Sequence, residues 1–206
     1  FLINIMLFSG AMGLGTDTIT GEKERGTLAS MLLSPIKRSE IVFGKLTSLG
    51  ILTGLSAIIY AVSVAIGLQN LTGGAMGEMS NIKFTPLEII QLLVILIVLV
   101  YFYVSIISLV AVYARTQKEA NTYVTPLYIL VMLGSVMTMF SGGTDKGLQY
   151  FAIPVYNATV SMQKLLIGEL TGIQFGVTVG TLAAASLVII SFIIKAFNDE
   201  RVMFNA

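Results

Sequence analysis

The chain contains no cysteine and no histidine, and only 11% of its 206 residues are charged. Without cysteine it can form neither a disulfide nor a thiolate metal site. Without histidine it lacks the commonest metal ligand and the usual proton shuttle near neutral pH. Soluble domains carry roughly 25% charged residues, whereas 55% of this chain is hydrophobic. A soluble fold of this length could not bury so much apolar surface, so the composition predicts a membrane protein.

Motifs for catalysis are also missing from the sequence. No segment matches a glycine-rich phosphate-binding loop, because Gly44-Lys45-Leu46 lacks both the leading glycine and the following hydroxyl residue. A Ser/His/Asp set cannot form without histidine, and no carboxylate pair indicates acid–base chemistry. We therefore predict that the chain is not itself an enzyme and holds no cofactor and no metal. If ATP drives this protein, a partner must supply the nucleotide site.

Five segments are long and apolar enough for membrane-spanning helices, each of which needs about 20 mainly apolar residues. These segments are residues 1–19, 46–68, 88–114, 123–140 and 174–194. The chain shows no internal repeat, so we predict a single all-α, polytopic membrane domain over residues 1–206. Because it opens on an apolar Phe1 without a basic leader region, we interpret it as lacking the N-terminal part of the protein.

Helix-start signals support two of these segments. Thr85-Pro-Leu-Glu88 combines an N-cap, a proline at the first helical position and a capping-box glutamate. Thr171 and Gln174 form a weaker box of the same kind. Pro126 is expected in the first turn of the fourth helix, or at a kink just after it.

Basic residues are distributed unevenly between the predicted connectors. Connector 20–45 carries five, and the short turn 115–121 and the C-terminal tail carry two each. The connectors on the other face, 69–87 and 141–173, carry one and two. The excess of nine over three predicts, by the positive-inside rule, that the first set and the C-terminus are cytoplasmic.

Apart from Glu88 at one end, the last four predicted spans contain no charged residue. Proton-driven carriers usually keep an ionisable group at mid-membrane, so the absence of such a group argues against a proton-driven carrier. Sodium could still be held by neutral oxygens. The scattered candidates, each more typical of helix packing than of ion binding, are Asn4, Ser105, Ser108, Thr138 and Ser186.

Small residues recur at helical spacing in two spans. Gly50 and Gly54 share one helix face, as do Gly176, Gly180 and Ala184. Such stripes permit close helix approach, and the spacing favours packing within the chain over a subunit interface.

The connector between the first two spans predicts a short amphipathic helix. Thr27 is a suitable N-cap, and Glu22 and Glu24 lie where a helix N-terminus favours negative charge. Leu28, Met31 and Leu32 follow on one face, and Pro35 ends the helix. The spacing alone leaves two interpretations open, which are an interfacial helix resting on lipid headgroups and a docking surface for another protein.

The connector before the last span also contains a predicted helix. Residues 150–156 are apolar and aromatic, which suits the membrane interface. Asn157 is expected to cap a helix that runs through Ile167, with Gly168 as its C-terminal stop. An ordinary loop with an interfacial helix is an open alternative here.

The first of these connectors resembles a known family. Gly21-Glu-Lys-Glu-Arg-Gly-Thr-Leu28, Leu32-Leu-Ser-Pro-Ile36 and Gly44-Lys45 are similar, in this order, to the segment after the second span of type-2 ABC transporter permeases of the exporter class. Ala29 departs from the family, where an acidic residue is common. The resemblance implies a coupling helix that docks into a groove of an ATPase subunit. Its ATPase-coupling residues would be Glu22, Lys23, Glu24, Arg25, Gly26, Thr27, Leu28, Met31 and Leu32.

Two further stretches resemble the NatB-like subgroup of these permeases, which is named for sodium export. They are Ile153-Pro-Val-Tyr-Asn157 with Lys164-Leu-Leu-Ile-Gly168, and residues 114–123. The resemblance covers essentially the whole chain and implies that its helices are spans two to six of a six-span permease. It also implies an external, partly re-entrant segment that gates the pathway. The residues of this external gate would be Tyr150, Pro154, Tyr156 and Asn157.

The expected function is therefore the permease subunit of an ABC exporter in the cell membrane. A separate ATPase subunit would bind ATP and Mg, a second permease copy would complete the unit, and the substrate would be expelled, with sodium as one candidate. Membrane lipid is the remaining expected partner, and nucleic acid is not. The alternatives are a non-ABC sodium-coupled carrier or channel, and a membrane interaction protein without transport activity.

Overall fold

A computed structural model of the chain describes residues 1–27, 31, 35–75, 85–140 and 147–198. The regular structure of these residues is entirely helical. Among these residues, five helices are long and apolar enough to cross a membrane. They are α1 (Leu2–Glu24), α2 (Arg38–Ala75), α3 (Pro86–Tyr113), α4 (Gln117–Phe140) and α6 (Gly172–Asn198). The predicted all-α, polytopic architecture is confirmed.

Capping side chains define where helices begin. At α3, the Thr85 backbone N–H donates to Glu88 Oε2 at 2.8 Å and completes the predicted capping box. At α6, the Thr171 and Gln174 side chains accept from each other's backbone N–H groups at 3.4 and 3.3 Å. Both predicted boxes are therefore confirmed.

Two helices begin earlier than their apolar segments. Helix α2 starts at Arg38 and α4 at Gln117, because polar and charged residues extend each helix beyond its apolar segment. Pro126 consequently lies in the third turn of α4, so its predicted place in the first turn is wrong. The alternative, a kink at Pro126, stays a prediction. Hydropathy locates the part of a helix that suits lipid, and it does not locate the helix end.

Helix α3 forms the centre of the bundle. It packs against all four other long helices, which explains why its sequence is the most apolar of the five. Leu99, Tyr103 and Ile107 on α3 are completely buried. The ring of Tyr103 meets that of Phe8 on α1 edge to face, with centroids 4.9 Å apart.

The glycine stripes have different surroundings. A Cβ atom on Gly50 would lie 3.1 Å from the Tyr101 ring, so this glycine permits the close approach of α2 to α3. At Gly54, Gly176 and Gly180 a Cβ atom would meet no described atom within 4 Å. The prediction of packing within the chain is therefore right for Gly50 and wrong for the other three among the described residues.

A short helix, α5 (Tyr156–Leu166), lies between α4 and α6 in the chain and follows a 3-10 turn at Leu148–Ala152. It packs against α3, α4 and α6, and most of its residues are buried. Gly168, with φ of +73°, ends it as predicted. The backbone N–H of Glu169 donates to the Lys164 carbonyl at 2.8 Å, which completes a Schellman cap.

Candidate functional site

The predicted ATPase-coupling residues begin inside helix α1. This helix continues to Glu24 through a π-helical turn at Asp17–Gly21. Glu22 and Glu24 therefore lie at the C-terminus of α1. The helix that they are predicted to precede would begin near residues 28–30, which lie outside the described residues, so that prediction is not tested. A carboxylate is unfavourable next to the negative end of the helix dipole, so tertiary partners must hold both residues there.

Glu22 connects α1 to α2. Its carboxylate forms an ion pair with Lys45, whose side chain is 9% exposed. Lys45 Nζ also donates to the Thr18 carbonyl at 3.1 Å. Lys45 is therefore held by two atoms of α1, and a shift of either helix would disturb both bonds.

Lys23 connects α1 to α3. It is 8% exposed, and its Nζ donates to the Val112 carbonyl in the last turn of α3 at 3.3 Å. Thr20 donates from its hydroxyl to the neighbouring Ala111 carbonyl at 3.0 Å. The Ala111 carbonyl also accepts from the backbone N–H of Ala114 at 3.2 Å. Helix α1 thus adds side-chain donors to the last carbonyls of α3, which lack the regular bonds of the helix interior.

Glu24 connects α1 to α4. Its Oε2 accepts from the backbone N–H of Gln117, the first residue of α4, at 3.1 Å. The positive end of the α4 dipole lies there and favours a negative charge. The same end of the bundle contains two more bonds, in which Arg38 of α2 donates to the carbonyls of Phe197 and Asn198 in α6 at 3.0 and 3.1 Å. All five long helices are thus tied together at one end.

We call this set of contacts the joint. Its members are Glu22, Lys23, Glu24, Arg38, Lys45, Val112, Gln117 and Phe197. Three of the nine predicted coupling residues, Glu22, Lys23 and Glu24, belong to it. Lys23 is buried, whereas Glu24 is exposed.

The next predicted coupling residues lie on the surface. Arg25 has a side chain that is 70% exposed and forms a 3.4 Å ion pair with Asp17. Gly26 turns the backbone with φ of +75°, a conformation that glycine adopts without strain. Thr27 is exposed, and its hydroxyl donates to the Glu22 carbonyl at 3.1 Å. Arg25–Thr27 therefore form an exposed turn directly attached to the joint.

The remainder of the predicted coupling helix is described at one position. Met31 is helical and packs, partly buried, against the core. Leu28 and Leu32 lie outside the described residues, as do residues 29 and 30, whose backbone N–H groups Thr27 would cap. The predicted N-cap is therefore not tested.

Three of the four predicted gate residues lie at a cavity of about 590 Å³. Side chains of α1, α3 and α4 form its walls together with residues 150–156. Tyr150, Pro154 and Tyr156 line it, and the two tyrosine rings lie 6.2 Å apart. Asn157 does not line it.

Asn157 instead anchors the segment that covers the cavity. It lies within the first turn of α5, after Val155 with φ of 73°, so the prediction that it caps the helix is wrong. Its buried Nδ2 donates to the Phe151 carbonyl at 3.0 Å and to Thr181 Oγ1 of α6 at 2.7 Å. These two bonds to residues outside α5 take the place of the helix cap that the sequence favours.

A buried polar cluster connects four helices beside the cavity. Asn4 of α1 donates through Nδ2 to Ser135 of α4 and to Thr159 of α5, both at 2.8 Å, and its Oδ1 accepts from the Tyr103 hydroxyl of α3. All four residues are at most 1% exposed. Sequence reasoning singled out Asn4 but missed the other three, because isolated hydroxyls in apolar helices carry no spacing signal.

Four of the five scattered candidates for sodium binding already have hydrogen-bond partners. The hydroxyls of Ser105, Thr138 and Ser186 each donate to a carbonyl of their own helix, and Asn4 belongs to the polar cluster. Ser108 Oγ is buried without a hydrogen-bond partner among the described residues. Helix packing therefore accounts for four of the five candidates. No group of three acidic side chains that could hold a metal occurs in the described part of the chain.

A family model and one known protein each match most of the chain. Residues 1–205 match the family model described as ABC-2 family transporter protein. The chain is 28% identical over 188 residues to the ABC transporter permease protein NatB of Bacillus subtilis (strain 168). That alignment covers 88% of this chain and 47% of the relative, so the chain spans about half the length of the curated relative it matches. No solved structure matches it.

Proposed function

This chain belongs to the ABC-2 family of transporter proteins, and we propose that it forms the permease part of an ATP-driven exporter. A separate ATPase subunit binds ATP and Mg, and the permease converts the motion of that subunit into substrate efflux. The observation that carries this proposal is the joint, since it ties one end of every long helix to the exposed turn at Arg25–Thr27.

The coupling residues divide into two groups with different roles. Arg25, Gly26 and Thr27 contact the ATPase together with the helix that contains Leu28, Met31 and Leu32. Glu22, Lys23 and Glu24 pass a displacement of this surface to α2, α3 and α4. A load on the turn would then reach several helices at once, because each of the three side chains bonds to a different helix.

The joint lies on the cytoplasmic side in this proposal, in agreement with the excess of basic residues there. The cavity and the segment 150–157 then face the exterior half of the membrane. Tyr150, Pro154 and Tyr156 form the movable cover, and Asn157 is its anchor on α6. Sodium is the candidate substrate that the NatB-like motifs favour.

A second permease copy completes the transporter in this proposal. The open glycine face of α6 at Gly176 and Gly180 supports it, because neither position meets a described atom of its own chain within 4 Å. Small residues on a helix face allow two helices to approach closely in a membrane.

The docking role predicts the effect of reversing one surface charge. In the intact permease co-expressed with its ATPase, we expect Arg25→Glu to lower ATPase co-purification and substrate-stimulated ATP hydrolysis several-fold. Folding should be unaffected, since an exposed ion pair contributes only about 0–1 kcal/mol.

Asp17→Ala is the matched control, because it removes the same 3.4 Å ion pair and leaves Arg25 in place. We expect this variant to bind the ATPase normally. Full coupling in a folded Arg25→Glu variant would contradict the docking role. Substrate flux through the permease alone in liposomes would favour the carrier alternative instead.

A further inference from the structure

The cavity beneath the predicted gate has an unusual chemical lining for an ion pathway. None of its described lining residues carries a charged side chain. Of its three tyrosines, Tyr103 already donates its hydroxyl to Asn4. Transfer of an isolated ion into such surroundings is strongly unfavourable without compensating ligands, so the lining suits an uncharged, apolar occupant.

The cavity has a buried floor and an open side. Phe8 and Tyr103 at its floor are at most 1% exposed, whereas Leu130 and Met137 on α4 are each 64% exposed. Leu133 and Phe140, also exposed, continue the same face of α4 at helical spacing. The open side of the cavity is thus continuous with an apolar flank of a membrane-spanning helix, which faces acyl chains in a bilayer.

The size of the cavity restricts what can enter it. A helix with its side chains is about 10–12 Å wide and rises 5.4 Å per turn, so roughly one turn would fill a volume of this size. A helix of a second copy would therefore not fit along its length. A single hydrocarbon chain is much thinner, needs no hydrogen-bond partner, and is present on the open side.

We propose that this cavity binds the acyl chain of a membrane phospholipid, which enters sideways past Leu130 and Met137. The acyl chain lies against Pro154 and Tyr156, so the bound lipid stabilises the gate segment in its present position. This binding depends on the membrane location of the protein and not on the ATPase. The proposal can thus fail while the proposed ATP-driven function stands, and the reverse also holds.

Gly134 provides a direct test, because it lines the cavity and a Cβ atom there would meet no described atom within 4 Å. The variant Gly134→Leu fills the space without a backbone clash and places a good helix former in α4. The intact permease is reconstituted in phosphatidylcholine vesicles that contain a diazirine-labelled acyl chain. Cross-linked peptides are mapped, and lipid retained after detergent extraction is quantified by mass spectrometry.

We expect the wild type to retain a phospholipid and to cross-link both α4 and the peptide that contains Pro154. Gly134→Leu should lower both signals several-fold, and Leu130→Trp, at the exposed rim, should do the same. The control Gly54→Leu, at an equally open position on α2 outside the cavity, should leave them unchanged. Equal lipid retention in wild type and Gly134→Leu would overturn the proposal. Cross-links from the cavity to a second copy, with no retained lipid, would overturn it as well.

Discussion

Lys45→Glu is expected to reduce coupled transport at least about tenfold, a loss equivalent to roughly 1.4 kcal/mol. The substitution places two carboxylates together where Lys45, 9% exposed, now pairs with Glu22 and donates to the Thr18 carbonyl. Breaking a buried pair costs about 3–5 kcal/mol, and the partial exposure of Glu22 lowers this value. We expect α1 and α2 to separate at the joint, so that the ATPase still binds while its motion no longer reaches the helices.

The measurement is substrate transport per ATP hydrolysed by the intact permease with its ATPase in liposomes. The double variant Glu22→Lys with Lys45→Glu restores an ion pair and places a lysine at the C-terminus of α1, where the helix dipole favours it. We expect it to recover most of the coupling, although the bond to the Thr18 carbonyl stays lost. A folded Lys45→Glu variant with normal coupling would exclude the joint from force transmission. A loss that the charge exchange does not rescue would show that the pair itself is unimportant.

Asn4→Leu is expected to produce a large loss of stability. The substitution keeps the number and branching of the side-chain heavy atoms but removes three hydrogen bonds, to Ser135, Thr159 and Tyr103, in one step. Side-chain hydrogen bonds between membrane helices contribute roughly 0.6–1.7 kcal/mol each. The expected decrease in the free energy of unfolding is therefore about 2–5 kcal/mol, and the contact of α5 with the spans weakens most.

Equilibrium unfolding in mixed micelles measures this decrease. Ser186→Ala is the control, because Ser186 is also buried but donates within its own helix, to the Leu182 carbonyl at 2.8 Å. We expect it to cost less than about 1 kcal/mol, the typical net value of one such bond. Equal stability of Asn4→Leu and wild type would show that the polar cluster does not hold α5 in place.

Local signals in the sequence predicted most of the fold. The five spans follow from runs of apolar residues, and the start of α3 follows from Thr85, Pro86 and Glu88, because a capping box needs only neighbours in the chain. Gly168 likewise marks the end of α5 through its own backbone preference. The errors occur where a distant partner outweighs a local preference. Asn157 is the clearest example, since its bonds to Phe151 and Thr181 replace the expected cap.

The candidate site was predicted less completely. The motif after the first span located the residues from Glu22 to Thr27, and the aromatic segment located Tyr150, Pro154 and Tyr156. The pattern could not separate the buried Lys23 from the exposed Arg25, because both are basic residues in one short connector. The distinction depends on the length of α1, which a π-helical turn extends to Glu24.

The sequence by itself determined that this protein is a bundle of membrane-spanning helices of the ABC-2 family, because hydropathy, capping and motif order are properties of neighbouring residues. The tertiary structure alone decided which helix each polar side chain reaches. Asn4 and Thr159, or Glu22 and Lys45, are distant in the chain, and a polar group removed from water is stabilised by a partner on another helix or on its own backbone. The choice among those partners depends on the relative height and rotation of packed helices, which no local pattern encodes.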